Sequence, residues 1–177
     1  AQCCSPGQPG ITHSVSQYRD QPQDRPLMHS PDTTIPDRAT LLERVARIAP
    51  LLDASAADGE RLRTLCPTAV DALHDAGLFR LWVPAEAGGY DVDLETQVTV
   101  MAAVAHADMS ACWAMMIGNT VTGVMAARLP DAGFAEVFSS DRMPVAAGSL
   151  KPDGRAAPTA GGFLVNGRWG FGSGIHH

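Results

Sequence analysis

Cysteine is scarce: the 177 residues contain four, with Cys3 and Cys4 adjacent in a polar stretch and Cys66 and Cys112 isolated. No CxxC pair and no Cys/His spacing of a metal-ligating kind occurs. This argues against a disulfide framework and a metal site, and it fits a reducing, cytoplasmic setting. Basic side chains are also few. There are 13 against 19 acidic ones, a formal charge of -6, and they form no run. Without a stripe able to neutralise phosphates, nucleic acid is not an expected partner. Long apolar runs are lacking too. The most apolar stretch, residues 111–127, is interrupted by Gly118, Asn119, Thr120, Thr122 and Gly123, so it reads as a buried core helix, and no membrane span is expected. Residues 1–27 hold no apolar core behind basic residues and do not resemble a secretory signal.

The generic catalytic motifs are missing as well. The chain contains no GxGxxG after a strand, no GxxxxGK[ST], no HExxH and no GxSxG. Nucleotide-fold, P-loop, zincin and α/β-hydrolase chemistries therefore have no support. The glycine-rich run Gly170 to Gly174 follows a strand pattern and does not open a helix, which is the wrong context for a phosphate loop.

What is present is enough for a core: hydrophobic residues make up 45% and charged residues 18%. The length suits one ordinary domain, or one domain plus part of another. Residues 1–36, rich in Pro, Gly, Gln, Ser and Asp, bury too little to offset the entropy of ordering and read as a disordered tail. Met28, just ahead of the first periodic pattern, is a candidate translation start; a genuine flexible tail is the alternative.

From Asp37, a plausible N-cap, Leu41, Leu42, Val45, Ile48, Ala49 and Leu52 fall on one helical face, with a bend expected at Pro50. Pro67 opens a second helix with Val70, Leu73 and Ala76 inward, ended by Gly77. Residues 78–84 make a short apolar connection, and Gly88, Gly89 and Tyr90 a turn. Asp93 caps a third helix with Leu94, Val98, Met101 and Ala105 on its inner face. Asp108 or Ser110 caps a fourth, apolar on nearly every side and therefore expected at the centre of the bundle. Pro130 starts a short fifth with Phe134, Val137 and Phe138 inward, and residues 139–141 close the helical half. After Pro144 the pattern turns to strands: one over residues 145–150, a turn at residues 152–154, and a second turn at Gly161 and Gly162 ahead of Phe163, Leu164 and Val165. The expected fold is α+β: a tail over residues 1–36, a bundle of four to five helices over residues 37–141, and an incomplete β-domain over residues 142–177.

Three segments in fixed order carry a resemblance. Residues 71–84, DALHDAGLFRLWVP, followed by Glu86, Gly88 and Gly89, are similar to the "L-x-x-A-G-L-F-x-x-x-V-P-x-E-x-G-G" signature of the acyl-CoA dehydrogenase superfamily. The helix with Ser110, Ala111, Cys112 and Trp113, then residues 116–120, resembles that family's central amino-terminal helix. Residues 161–174, GGFLVNGRWGFGSG, resemble "G-G-[YF]-x-[VL]-[SN]-G-[RK]-W-x-[FI]-x-[ST]-G", the segment that meets the flavin. Together they cover residues 38–177, and the Trp-x-Phe-x-Ser-Gly wording is closest to the two-component monooxygenase-like branch.

The resemblance implies FAD or FMN as cofactor. A flavin needs a dry, aromatic-lined slot with a few polar groups at its ring edge. Placed on a strand, Trp169 and Phe171 would point one way, with Gly170 and Gly172 allowing close approach on the other side. By resemblance Trp169, Phe171, Ser173 and Gly174 contact the flavin, with Ser173 near N5. Trp113, Asn119, Ser149 and His176 border the flavin or substrate pocket; for Asn119 a hydrogen bond within its helix or to a neighbouring one is an equal explanation, and for His176 a tag remnant is. His74 and His106, near helix ends, are expected to be solvated or capping.

Two chemistries share this scaffold. In the monooxygenase-like branch, reduced flavin from a partner reductase reacts with oxygen to modify a small organic substrate. In the dehydrogenases, FAD oxidises an acyl thioester with the help of a carboxylate base. A departure from the first is Val121, where many of its members have a histidine. The base of the second would lie in a carboxy-terminal domain, so the chain alone is expected to be inactive; full-length protein would be a homo-oligomer, a tetramer by resemblance. The alternative of another class is a non-catalytic helical interaction module.

Overall fold

The computed structural model describes residues 34–140 and 142–176. The expected tail up to residue 33, Met28, Asp141 and His177 lie outside these residues.

The first helix, α1 (Arg38–Leu62), begins where Asp37 Oδ1 accepts a hydrogen bond from Thr40 N at 2.8 Å. That side-chain acceptor satisfies one of the free amides of the first turn. Leu41, Val45 and Leu52 are buried, with Leu42 and Ile48 packed beside them. Pro50 lies inside the helix, which continues a further three turns and stops at Arg63, in the left-handed conformation at φ 57°. α2 (Pro67–Asp75) starts with its proline as expected and buries Val70 and Leu73; Gly77, at φ 74°, turns the chain out of it.

The apolar connection that follows is more than a linker. Two 3₁₀ turns, Leu78–Arg80 and Ala85–Ala87, fold back so that Tyr90 N donates to Arg80 O at 2.7 Å and Val92 N to Leu81 O at 3.0 Å. Leu78, Phe79, Leu81, Val83 and Ala87 are at most 1% exposed, so this loop supplies a large part of the core. Gly89 lies so close to the Val83 carbonyl that no side chain fits there.

Asp93 caps α3 (Leu94–Ala107) through Thr96 N, and Asp108 caps α4 (Met109–Arg128) through Ser110 N. α5 (Asp131–Val137) sets Phe134 and Phe138 inward, their rings 4.9 Å apart. Arg38 ties α1 to α3, its Nε donating to Thr96 Oγ1 at 3.0 Å and its Nη1 to Glu95 Oε1 at 2.6 Å.

Three expectations need correction. The inner face of α3 is Thr96, Val100 and Val104, whereas Leu94 and Val98 are 72% and 57% exposed. The sequence offers two apolar stripes on this helix, and the packing of α1 and α4 against it, together with the Arg38 to Thr96 bond, selects the other one. α4 is not enclosed on all sides: Met109, Trp113 and Val124 are 64%, 50% and 57% exposed along one stripe. The expected strand over residues 145–150 is not a strand: it has no ladder partner among the described residues.

The sheet is one antiparallel hairpin, β1 (Arg155–Thr159) and β2 (Gly162–Asn166), registered from Arg155 opposite Asn166 to Thr159 opposite Gly162. Gly161 takes φ 81° in its turn. Both faces of the hairpin are exposed. The architecture is nonetheless the expected one, five helices followed by a small sheet.

Candidate functional site

Trp113 stands one turn into α4, half exposed. The Asp108 cap fixes where that helix begins and hence where Trp113 points. In front of it, a cleft of about 460 Å³ runs between the last turns of α1 and the first turn of α4. Gly59, Arg63, Thr64 and Leu65 form one side, Met109, Trp113 and Ala114 the other, and Ser173 and Gly174 close it. Three of the residues singled out by sequence, Trp113, Ser173 and Gly174, are thus brought together from positions 60 residues apart in the chain.

The rest of the expected set is placed elsewhere. His176 lines a neighbouring cleft of about 530 Å³ with Val70 and Asp71, on the other side of the Arg63 to Leu65 bend. The segment carrying Trp169, Phe171 and Ser173 is not a strand: the ladder ends at Asn166, opposite Arg155, and no further residue stands opposite to pair with it. Phe171 accordingly leaves the extended region, at φ 59°, and is 97% exposed. Trp169 packs over Gly154 and Gly167, where an added β-carbon on Gly167 would fall 2.6 Å from its ring. The glycines that admit this tryptophan are therefore not Gly170 and Gly172. Ser149 is half-buried, and its Oγ accepts from Lys151 N at 3.4 Å.

Asn119 shows the packing alternative. It is 1% exposed; Nδ2 donates to Leu78 O at 2.7 Å and to Met115 O at 2.9 Å, and Oδ1 accepts from Trp82 N at 3.2 Å. Both donor hydrogens are used on backbone carbonyls, so the amide fastens the apolar connection to α4 rather than facing a cleft.

Two groups escaped the sequence reading. Thr64, at the wall shared by the two clefts, has a buried Oγ1 with no hydrogen-bond partner among the described residues. The non-glycine left-handed residue before it, Arg63, is what turns this segment toward α4, and nothing in the local sequence marks that. The other is Thr122, whose Oγ1 on α4 donates to Pro144 O at 3.1 Å and accepts from Ala146 N at 3.0 Å. Burial, and after it the charge of Asp108, pushes the Cys112 thiol upward. His74 packs against Phe79 with rings 4.6 Å apart, and burial, aided by the charge of Arg142, lowers its pKa to about 4. It is thus a half-buried neutral histidine rather than a solvated one.

A cleft of this size falls within the range of sites that hold small molecules and cofactors, and its indole wall, serine and glycine suit a planar aromatic ligand. Residues 39–130 match the family model "Acyl-CoA dehydrogenase, N-terminal domain". The chain belongs to the acyl-CoA dehydrogenase family. Within that family it is similar to indole-3-acetate monooxygenase of Pseudomonas putida, 32% identical over 115 residues that cover 65% of this chain and 29% of that protein. It is also similar to the oxygenase component of p-hydroxyphenylacetate 3-hydroxylase of Acinetobacter baumannii, 26% identical over 141 residues, 78% of this chain and 32% of that one. The solved structure of XiaF from Streptomyces sp., in complex with FADH2 and glycerol, aligns with a TM-score of 0.74 at 32% identity, covering 79% of this chain and 35% of that chain. The HsaA monooxygenase from M. tuberculosis aligns with a TM-score of 0.71 at 29% identity, covering 80% and 39%. Of these, the A. baumannii protein is an oxygenase component, the P. putida and M. tuberculosis proteins are monooxygenases and XiaF holds FADH2, which accords with the branch suggested by the wording of residues 167–174. This acyl-CoA dehydrogenase-family chain spans about a third of the length of the relatives it matches. No helix among the described residues is long and apolar enough to cross a membrane.

Proposed function

We propose that this chain is the amino-terminal part of the oxygenase component of a two-component, flavin-dependent monooxygenase acting on a small organic substrate. The observation that carries this reading is the meeting of Trp113 with Ser173 and Gly174 across one cleft at the start of α4. When bound, reduced FMN or FAD supplies the electrons for oxygen activation. The chain's own residues bind and orient. Trp113 offers an aromatic wall, Ser173 a hydroxyl able to donate or accept at a ring edge, and Gly174 an approach free of side-chain bulk.

A separate reductase would deliver the flavin, and the complete protein would form a homo-oligomer, a tetramer in this reading. Its site would be completed by residues outside this chain. The test uses the full-length protein that contains it, titrated anaerobically with reduced FMN and reduced FAD, then assayed for oxygen consumption with and without a flavin reductase and NADH. Binding of one reduced flavin, a roughly tenfold weaker affinity in Trp113→Ala (about 1.4 kcal/mol), and reductase-dependent oxygen uptake are the expected results. Flavin reduction by an acyl thioester without a reductase would instead assign the dehydrogenase chemistry. A protein that takes up neither flavin in either redox state would leave only a non-catalytic helical module.

A further inference from the structure

The bend after α1 separates two clefts, and the fold leaves its polar groups without partners. Arg63, Thr64 and Leu65 line both the cleft of about 460 Å³ in front of Trp113 and the cleft of about 530 Å³ beside it. Thr64 Oγ1 is buried and has no hydrogen-bond partner among the described residues. Arg63 donates its backbone amide to Glu60 O at 3.3 Å, but its exposed side chain makes no ion pair among the described residues, whereas Arg61 holds Asp58 at 2.9 Å. A hydroxyl buried unpaired is costly, and so is a left-handed conformation at a residue other than glycine, which Arg63 adopts at φ 57°. Strain of this kind collects at ligand sites, where binding offsets it.

Charge decides which cleft a ligand enters. In front of Trp113 the acidic Glu60 and Asp108 stand beside Arg63. The second cleft holds Arg63 and His176 with one carboxylate, Asp71, whose Oδ1 already accepts from Arg142 Nη2 at 2.8 Å. The rest of its lining is apolar: Leu62, 49% exposed, with Leu65, Pro67 and Val70. An unpaired guanidinium and an unused hydroxyl over an apolar floor suit an anion carried on an apolar body. A carboxylate can take paired bonds from a guanidinium and still accept one from a hydroxyl.

We propose that this second cleft is a binding site for an organic monocarboxylate, its charged end held by Arg63 and Thr64 Oγ1 and its apolar body lying on Leu62, Pro67 and Val70. The site is distinct from the cleft of Trp113, Ser173 and Gly174 and does not depend on the flavin reading.

The experiment titrates full-length protein, as purified, with 2-naphthoate, with the neutral 2-naphthamide and with inorganic phosphate, and records the melting temperature of each variant without ligand. Naphthoate is expected to bind at least about tenfold more tightly than either of the others. Arg63→Asn, which accepts the left-handed conformation but carries no charge, should weaken naphthoate about tenfold and leave naphthamide within about twofold; Arg63→Lys should recover part of the loss. Thr64→Val separates a binding role from a structural one. It removes a hydroxyl that has no partner, so the melting temperature should hold or rise while naphthoate binds about threefold to tenfold more weakly. Equal affinity for acid and amide overturns the proposal, as does naphthoate binding that both Arg63→Asn and Thr64→Val leave unchanged. Binding that falls in Trp113→Ala but not in Thr64→Val also overturns it, because the ligand then lies in the other cleft. Flavin uptake is scored separately: a protein that takes up naphthoate and no flavin keeps this site and loses the monooxygenase reading.

Discussion

The ring of Tyr90 lies directly over the α-carbon of Gly77, so close that a β-carbon added there would come within 3.1 Å of Tyr90 Cε2 and nearer still to its hydroxyl. The same hydroxyl accepts from Arg44 Nη1 at 3.2 Å, and that nitrogen also donates to Ala76 O at 3.3 Å. One glycine thus joins the end of α2, the returning loop and the flank of α1.

Gly77→Ala should therefore be among the more damaging single-methyl changes in the chain. It adds a left-handed penalty of roughly 1–2 kcal/mol at φ 74° to displacement of a nearly buried ring, and we expect a loss of about 2–4 kcal/mol in total. Gly133→Ala on α5, whose nearest neighbour would be 3.5 Å away, should be neutral or stabilising by about 0.5–1 kcal/mol. Urea denaturation of full-length protein measures both, and equal midpoints would contradict the account.

Asn119→Leu should destabilise by about 2–4 kcal/mol, because it leaves the Leu78 carbonyl and the Trp82 amide without their side-chain partner inside the core. The affinity of the folded variant for reduced flavin should hardly change. If affinity falls while the melting temperature holds, Asn119 belongs to the ligand site after all.

His74 predicts an acid limb in the stability curve. Its folded pKa, near 4, lies below the ordinary 6.5 because burial disfavours the cation. At pH values above 6.5 neither state takes up the proton, and the folded state keeps its full stability. As the pH falls from 6.5 through about 4 the unfolded chain binds the proton first, so stability is lost across that window. His74→Gln should flatten the curve between pH 6.5 and 5, above the range where the carboxylates titrate. Thermal melts at half-unit steps would show it, and an unchanged slope in the variant would discount His74 as the cause.

Much of the helical half was legible because its signals are local. Asp37, Asp93 and Asp108 cap the helices they precede, and Pro67 and Gly77 bracket α2, each through bonds or dihedral limits that involve only near neighbours in the chain. The inner face of α3 was not legible in this way, since Leu94 and Val98 match a buried stripe as well as Thr96, Val100 and Val104 do, and only the helices packed beside α3 decide between them. The candidate site divides along the same line. Trp113, Ser173 and Gly174 could be picked out by wording, but the Thr64 wall and the Thr122 bonds to Pro144 and Ala146 depend on partners far away in sequence.

Caps, periodicity and motif spacing act over a few residues, and they marked where the helices begin, that strands follow them and which family the chain belongs to; the end of α1 at Arg63 was not among those signals. Tertiary structure alone decided which stripes are buried, that residues 145–150 have no ladder partner among the described residues, and which distant residues share a cleft. Those outcomes depend on free-energy differences between competing packings, and such differences arise only when surfaces from separate parts of the chain meet.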